Sequence, residues 1–306
     1  MSLESVPEFP ESRRISLADK GAIGSVFARY ESELSERTFG SIYIWRNYEQ
    51  RSDICQLDGH LIVFWYKVGF GRTVLPPVGP DPVGAAEKLL SHDAFRSMGF
   101  AGVYGLTEPQ VSELTARGMK PVPLRDDWDY VYRREDLAEL EGGRYHTQRK
   151  ELAKATSTHE LVFEPMTEEH LEASLELEET WCDMKHCTLD RLSTAEDRAL
   201  KDALDNMADL GLLGGVALAE GKIQALTLGE PLNEGTAVVH FEKANPAIRG
   251  LYQFINQEFC RRVLDDFEFV NREQDVGEPG LRRAKEGYHP HHFVEKHILL
   301  RDSRSL

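Results

Sequence analysis

Two stretches of this chain spell out the same order of elements, and that internal repeat limits the fold more than any other feature. In ICQLDGHLIVFWY two apolar runs flank Asp58-Gly59, a dipeptide of the two-residue hairpin type. GGVALAEGKIQALTLGE repeats the figure with Glu220-Gly221 at the turn. After the first hairpin, GFAGVYGLTEPQVSELTARGMKPVPLRDDWDYVYRRED reads as a strand, a Pro-started helix ending at Gly118, and an apolar strand containing Tyr130 to Tyr132. FEFVNREQDVGEPGLRRAKEGYHPHHFVEKHILLRD reads the same way, with Gly287 at the helix end. The interval from Gly59 to Gly221 is nearly that from Gly118 to Gly287. The chain therefore reads as two copies of one α/β unit: hairpin, strand, helix, strand, helix, strand. The most flexible point between them is Gly142-Gly143, which predicts halves of 1–143 and 144–306. A helix from His146 to Ala155 would open the second half. Thr167, followed by Glu168 and Glu169, would cap another.

Composition agrees with two globular cores. Hydrophobic residues make up 41% of the 306, which excludes a disordered or fibrous chain. No apolar run approaches the ~20 residues of a membrane span, the longest being Leu61 to Tyr66, and the acidic N-terminal text lacks a secretory pattern. A cytoplasmic location is expected. Four cysteines are too few for a disulfide scaffold. Cys182, His186 and Cys187 stand close together, but no second Cys/His pair follows at zinc spacing, so no metal is expected. The net charge of −16 disfavours a broad nucleic-acid footprint without excluding a local patch, such as Arg144, Arg149 and Lys150 for a tRNA, and no DNA partner is expected.

The chemistry-bearing text lies in the second copy. Strand-like Ala237 to Phe241 is broken at Asn245-Pro246, and a helix follows in which Leu251, Ile255, Phe259 and Val263 recur at i+4. Arg249 and Gly250 sit at its start. Unpaired amides, a positive dipole end, a glycine and an arginine together make a candidate phosphate seat, against the plainer reading of a tight turn with a solvated arginine. Next, Asn271, Arg272, Glu273, Gln274 and Asp275 follow the buried-type strand FEFV. Five consecutive polar residues at a strand's C-terminal end predict a cleft lining. Lys285 and Tyr288, three apart, share one helix face, where an ammonium and a phenol hold an anion or protonate a leaving group. The plainer alternative is a lysine complementing the helix dipole and a half-buried tyrosine. His289, His291, His292 and His297 are expected to alternate faces and not to converge. In the first copy, PPVGPDPVGAAEKLL is expected to be structural, with no basic residue ahead of Gly84.

Taken together, TFGSIYIWRNY, HFEKAN, YQFIN, NREQDVGEPGLRRAKEGYHP and VEKH resemble the bacterial family classed with the C-terminal domain of phosphatidylglycerol lysyltransferase, related to the Fem peptidyltransferases. The resemblance runs from about Thr38 to the end. It implies two tandem GNAT-like domains, with RGLYQ in the place of the GNAT pyrophosphate loop and Tyr252 where that loop has a second small residue. Lys285, Tyr288 and Pro290 match the family's K-x-x-[FY]-x-P element. Glu242 fills the position of its acidic residue, while Asn245 stands where arginine is expected three residues later. The implied activity is acyl or aminoacyl transfer from aminoacyl-tRNA or an acyl thioester such as acyl-CoA to an amine or hydroxyl, on a small molecule, peptide or lipid headgroup, with no tightly bound cofactor. In that scheme Glu242 or Asp275 is the base, Asn271 a polarising donor and Tyr288 the leaving-group acid, while Arg249, Gly250, Tyr252 and Lys285 bind the donor. The competing expectation is a ligand-binding module without turnover, favoured by the single-glycine loop and by Asn245.

Overall fold

The structure, a computed structural model, describes residues 3–47, 52–185 and 191–301; His186 and Cys187 of the WCDMKHC segment lie outside them. In chain order the elements are β1 (Arg13–Arg14), α1 (Lys20–Arg29), α2 (Phe39–Ile44), β2 (Asp53–Leu57), β3 (His60–Lys67), β4 (Gly71–Val74), α3 (Pro82–Ser91), α4 (Asp93–Ser97), β5 (Gly102–Leu106), α5 (Glu108–Ala116), β6 (Val122–Pro123), β7 (Asp129–Arg133) and α6 (Arg134–Glu139). They continue as α7 (His146–Thr158), β8 (Leu161–Pro165), α8 (Leu171–Lys185), α9 (Arg191–Asp205), α10 (Met207–Leu210), β9 (Leu213–Ala219), β10 (Lys222–Pro231), β11 (Thr236–Ala244), α11 (Leu251–Arg262), β12 (Phe269–Asn271), α12 (Pro279–Glu286), β13 (His292–Val294) and β14 (His297–Leu300).

Both hairpin dipeptides turn as their sequence requires. Asp58 and Gly59 have φ of 49° and 75°, and Glu220 and Gly221 repeat those values, the positive pair that a two-residue hairpin needs. Glycine adopts this conformation without strain, whereas Asp58 and Glu220 do so at a cost of about 1 kcal/mol.

Two compact units result. The first comprises the chain up to Asp129 together with the chain from Val294 on, and the second is Tyr130–Phe293. Gly142-Gly143, where the sequence analysis expects the division, lies inside the second unit. Each unit is built on a seven-stranded mixed sheet, ordered β1-β2-β3-β4-β5-β14-β6 in the first and β13-β7-β12-β11-β10-β9-β8 in the second. The last strand of the chain thus completes the first sheet, between β5 and β6, while β7 inserts beside β12 in the second.

The first unit packs α3, α4 and α5 on one apolar cluster that includes Phe64, Leu89, Phe95, Phe100, Val103 and Leu114. Asp81 caps α3 by accepting from the Gly84 amide at 2.9 Å, so this helix start is occupied by the protein's own carboxylate. Beside the core lies a wholly buried polar cluster. Lys296, just before β14, donates to Asp129 at 2.7 Å, to both oxygens of Glu36 at 2.9 and 2.8 Å, and to Ser35 at 3.1 Å. Ser35 in turn donates its amide and its hydroxyl to Asp129, each at 3.0 Å. Tyr104 donates to Glu36 at 3.2 Å.

The second unit buries the face of α11 that the i+4 pattern predicts. Leu251, Ile255, Phe259 and Phe254 join Tyr130, Tyr132, Val239 and Tyr288 in its core. Burial of one such side chain contributes about 2 kcal/mol.

Candidate active site

Beyond a short stretch of pairing, β11 and β12 part company. The two strands run parallel and pair only through Thr236–Val238 and Phe269–Asn271. β11 then continues to Ala244 beside β10, while the chain leaves β12 after Asn271. The space past the C-terminal ends of parallel strands is where open α/β sheets take ligands.

On β11 a bulge decides which side chains face this space. Leu228 pairs with Phe241 and its neighbour Gly229 with Val239, leaving His240 unopposed. The extra residue shifts the alternation of the strand. Ala237 and Val239 pack toward α11 before the bulge, and Glu242 and Ala244 face it afterwards.

Glu242 consequently meets a guanidinium. Its Oε1 accepts from Nη2 of Arg272 at 2.9 Å, and its Oε2 accepts from Nδ2 of Asn256, on α11, at 3.1 Å. The Arg272 guanidinium lies 5.0 Å from the ring of Tyr288 and 5.7 Å from that of Tyr132, close enough for cation–π attraction to both. Burial opposes its charge, but the Glu242 carboxylate more than offsets this and holds the pKa above the ordinary arginine value. Burial raises the phenols of Tyr288 and Tyr132, so both keep their protons across the neutral range. Burial also pushes the nearby Cys260 thiol up to about 12, which leaves it inert as a nucleophile. Two polar atoms of the cluster are buried without a hydrogen-bond partner, Nη1 of Arg272 and Oδ1 of Asn256. The side chains of Glu242 and Arg272 are 13% and 12% exposed, so the cluster is reached from solvent at the ion pair.

The remaining residues singled out in the sequence take other places. Asn271 is fully buried, and its Oδ1 accepts from the Glu273 amide at 2.8 Å, shaping the turn that carries Arg272. Lys285 donates to the carbonyls of Arg272, Glu273 and Gln274 at 2.5, 3.1 and 2.6 Å. An ammonium has three protons, and these carbonyls engage all of them, so Lys285 builds the turn where the sequence analysis has it holding phosphate. Asp275 accepts from Tyr130 at 2.6 Å, from Arg282 twice at 2.8 Å and from the Gly277 amide at 2.9 Å. That saturated carboxylate is a poor proton acceptor. Gly250 opens α11 with φ +93°, and a Cβ there would collide with the Glu151 carbonyl of α7. The glycine thus admits a neighbouring helix. Arg249 is ion-paired with the Glu151 carboxylate, and Tyr252 packs half-buried against the core.

The structure therefore brings Glu242 and Tyr288 together around Arg272, places Asn271 and Lys285 in the turn behind them, and sets Arg249 and Gly250 against α7. Arg272 and Asn256 are the participants that sequence reasoning left without a role. Asn256 had a legible signal, since it breaks the stripe formed by Tyr252 and Cys260 on the buried side of α11. Asn245, standing where the resemblance expects arginine, caps a turn by accepting from the Ala247 amide at 3.0 Å, and the guanidinium at Glu242 comes from Arg272 instead.

The histidines near the C-terminal end do not all alternate as the sequence pattern predicts. His291 and His292 do not diverge: their Nδ1 atoms lie 2.9 Å apart, because β13 begins only at His292 and His291 sits in the bend before it. Among the described residues no group of three or more His, Cys, Asp or Glu is placed to hold a metal ion.

Asp275 carries a pH prediction. Burial raises its pKa, but hydrogen bonds from Arg282, Tyr130 and Gly277 outweigh this and bring it down to about 2. A depressed carboxylate stabilises the fold above its unfolded pKa of ~3.9 and loses that contribution as pH falls through the folded value. Stability of the second unit should drop by about 2 kcal/mol between pH 5 and pH 2 on this account. Asp275→Asn should flatten that part of the curve in urea titrations. An unchanged acid limb would show that the group titrates elsewhere.

The family model for the C-terminal region of phosphatidylglycerol lysyltransferase matches residues 27–300. The chain belongs to that family. A conserved protein of unknown function from Bacteroides thetaiotaomicron VPI-5482 is 31% identical, with a TM-score of 0.85 over 94% of this chain and 98% of the other. Two further members of this structural group are 15% identical. The C-terminal domain of a putative lysylphosphatidylglycerol synthetase from Agrobacterium fabrum has a TM-score of 0.67 over 94% of this chain and 93% of its own. L-PGS from Bacillus licheniformis has 0.61 over 98% and 95%. At that identity the likeness concerns the fold alone, a mixed α/β arrangement built on two seven-stranded sheets. A comparison with curated proteins finds no match. Among the described residues no helix is long and apolar enough to cross a membrane.

Proposed function

We propose that this member of the family is an aminoacyltransferase, moving an aminoacyl group from an activated ester to an amine or hydroxyl acceptor at the Glu242–Arg272–Asn256–Tyr288 cluster. The observation that carries the reading is the pair of unpartnered atoms, a donor on Arg272 and an acceptor on Asn256, held on either side of one carboxylate. An α-aminoacyl ester offers their complement, a carbonyl oxygen for Nη1–H and an α-ammonium for Oδ1. A simple acyl group supplies only the first. A buried polar atom left unpaired costs about 1–3 kcal/mol, and a ligand that pairs both recovers it.

In this scheme the acceptor's nitrogen or oxygen attacks the carbonyl carbon and the bond to the leaving oxygen breaks. Charge develops on the carbonyl oxygen, which accepts from the otherwise unpaired Nη1–H of Arg272 in this scheme. Glu242 takes the acceptor's proton, and Tyr288, a phenol held neutral by burial, protonates the leaving oxygen. Exchange with solvent returns both to rest. Asp275 is left out as base, since its hydrogen bonds keep it ionised down to about pH 2. A donor anchored by pyrophosphate on Gly250 is disfavoured, because α7 occupies that position and Glu151 already pairs with Arg249. This weighs for aminoacyl-tRNA, or a small ester mimic of its 3′ end, over acyl-CoA. The acceptor is a small molecule, a peptide or a lipid headgroup.

The test is a donor panel read by mass spectrometry: aminoacyl-tRNA, an aminoacyl ester of adenosine, and acetyl-CoA, each with amine and glycerol-type acceptors. Transfer from the aminoacyl donors should exceed their spontaneous aminolysis by at least ~10², with none from acetyl-CoA. Transfer from the thioester alone, or from no donor, would overturn the reading.

A further inference from the structure

His240 is the residue that the β11 bulge leaves unopposed, and its ring is 1% exposed. Both ring nitrogens meet carboxylates, Nε2 with Glu230 of β10 at 2.9 Å and Nδ1 with Glu273 of the turn after β12 at 2.7 Å. Two acceptors on one ring require both nitrogens to carry protons, so the group is an imidazolium. Burial works against that charge, but the hydrogen bonds to Glu230 and Glu273 raise the pKa to about 10. Glu273 directly follows Arg272 in sequence. Two ion pairs of opposite sense therefore bridge the gap where β11 and β12 diverge, His240 with Glu273 and Glu242 with Arg272.

The turn between them is held against its own preference. Glu273 has φ of 55°, a left-handed conformation costing a non-glycine residue about 1 kcal/mol or more. Lys285 fixes its carbonyls, Asn271 its amide, and β7 its backbone through Tyr130. Of these ties, only the one from His240 reaches Glu273 through its side chain from β11, the strand that carries Glu242.

We propose that His240 is a positioning residue for the acyl-transfer site, tying Glu273 to β11 so that Arg272 is kept at Glu242 with Nη1 directed at the reacting carbonyl. It touches no substrate. This rests on the aminoacyltransferase reading above, so the experiment has one arm that turnover does not enter.

The first arm compares His240→Gln, Glu273→Gln and the double variant in the donor assay. A positioning residue should lower kcat by about 10- to 100-fold with KM for the donor within about twofold, since a misplacement near 1 Å suffices for that loss. The double variant should be no worse than the poorer single one, because both substitutions cut the same link. The second arm reads Arg272 by NMR. Hydrogen exchange at its Nε–H should speed up at least tenfold in His240→Gln, and His240 in the wild type should show two slowly exchanging ring N–H signals at pH 8. Folded His240→Gln with wild-type kcat, losses that multiply in the double variant, or unchanged Arg272 exchange would each overturn the proposal. If no donor is turned over by the wild type, the function reading fails while the exchange arm still decides whether His240 holds Arg272.

Discussion

Replacing Lys296 by methionine should cost the first unit about 3–5 kcal/mol, the usual penalty for removing one partner of a buried ion cluster. The substitution keeps the length of the side chain and removes the ammonium that contacts both Glu36 and Asp129, which then lie in the interior as two facing carboxylates. The loss should depend on pH. Burial, reinforced by the charge of Glu36 and resisted by Lys296, already raises Asp129 to about 6. A carboxyl whose folded pKa exceeds its unfolded one favours the folded state at low pH, and that contribution disappears as pH rises through the folded value. Without Lys296 both carboxyls move up, Asp129 from its already raised value and Glu36 from the lowered one that Lys296 gives it, so Lys296→Met should be less damaging at pH 5 than at pH 8 in urea titrations followed by tryptophan fluorescence. Adding Glu36→Gln and Asp129→Asn removes the uncompensated charge and should restore more than half of the loss. A single variant that unfolds like the wild type would mean that the cluster is hydrated in solution.

Arg272→Lys should reduce turnover by about 10² to 10³, the scale of losing one aligned donor to a developing oxyanion. Lysine keeps the charge but has neither the planar fork that pairs with Glu242 while leaving Nη1 free nor the flat face that lies between Tyr132 and Tyr288. Arg272→Ala would also leave Glu242 unpaired, mixing catalysis with stability. The cleaner control is Arg272→Gln with Glu242→Gln, a neutral pair that should keep its unfolding midpoint and lose turnover. Wild-type rates in Arg272→Lys would remove the guanidinium from the mechanism.

The architecture was legible because it is written in local signals. Asp58-Gly59 and Glu220-Gly221 fix their hairpins through backbone conformation alone, and the apolar stripe of α11 needs only the helical period. The site was less so, for two physical reasons. The bulge at His240 changes which face Glu242 occupies, and nothing in HFEKAN announces an extra residue whose cause lies in the pairing with Leu228 and Gly229. The polar run from Asn271 to Asp275 stands out in the sequence, but the division of labour within it depends on partners far along the chain: Glu242 for Arg272, His240 for Glu273, Tyr130 and Arg282 for Asp275. At Gly250 the sequence offered two readings of one glycine. Helix α7, some hundred residues upstream, occupies the space in question, and that packing has no signature beside Gly250 itself.

The position of β14 has a bearing on how the protein is made. A ribosome delivers the first unit's other strands early, yet the sheet cannot close, nor Glu36 and Asp129 meet their cation, until Lys296 and the strand behind it have left the exit tunnel. The half that is translated first is thus finished last, and it must wait with an open seam while the other is being synthesised.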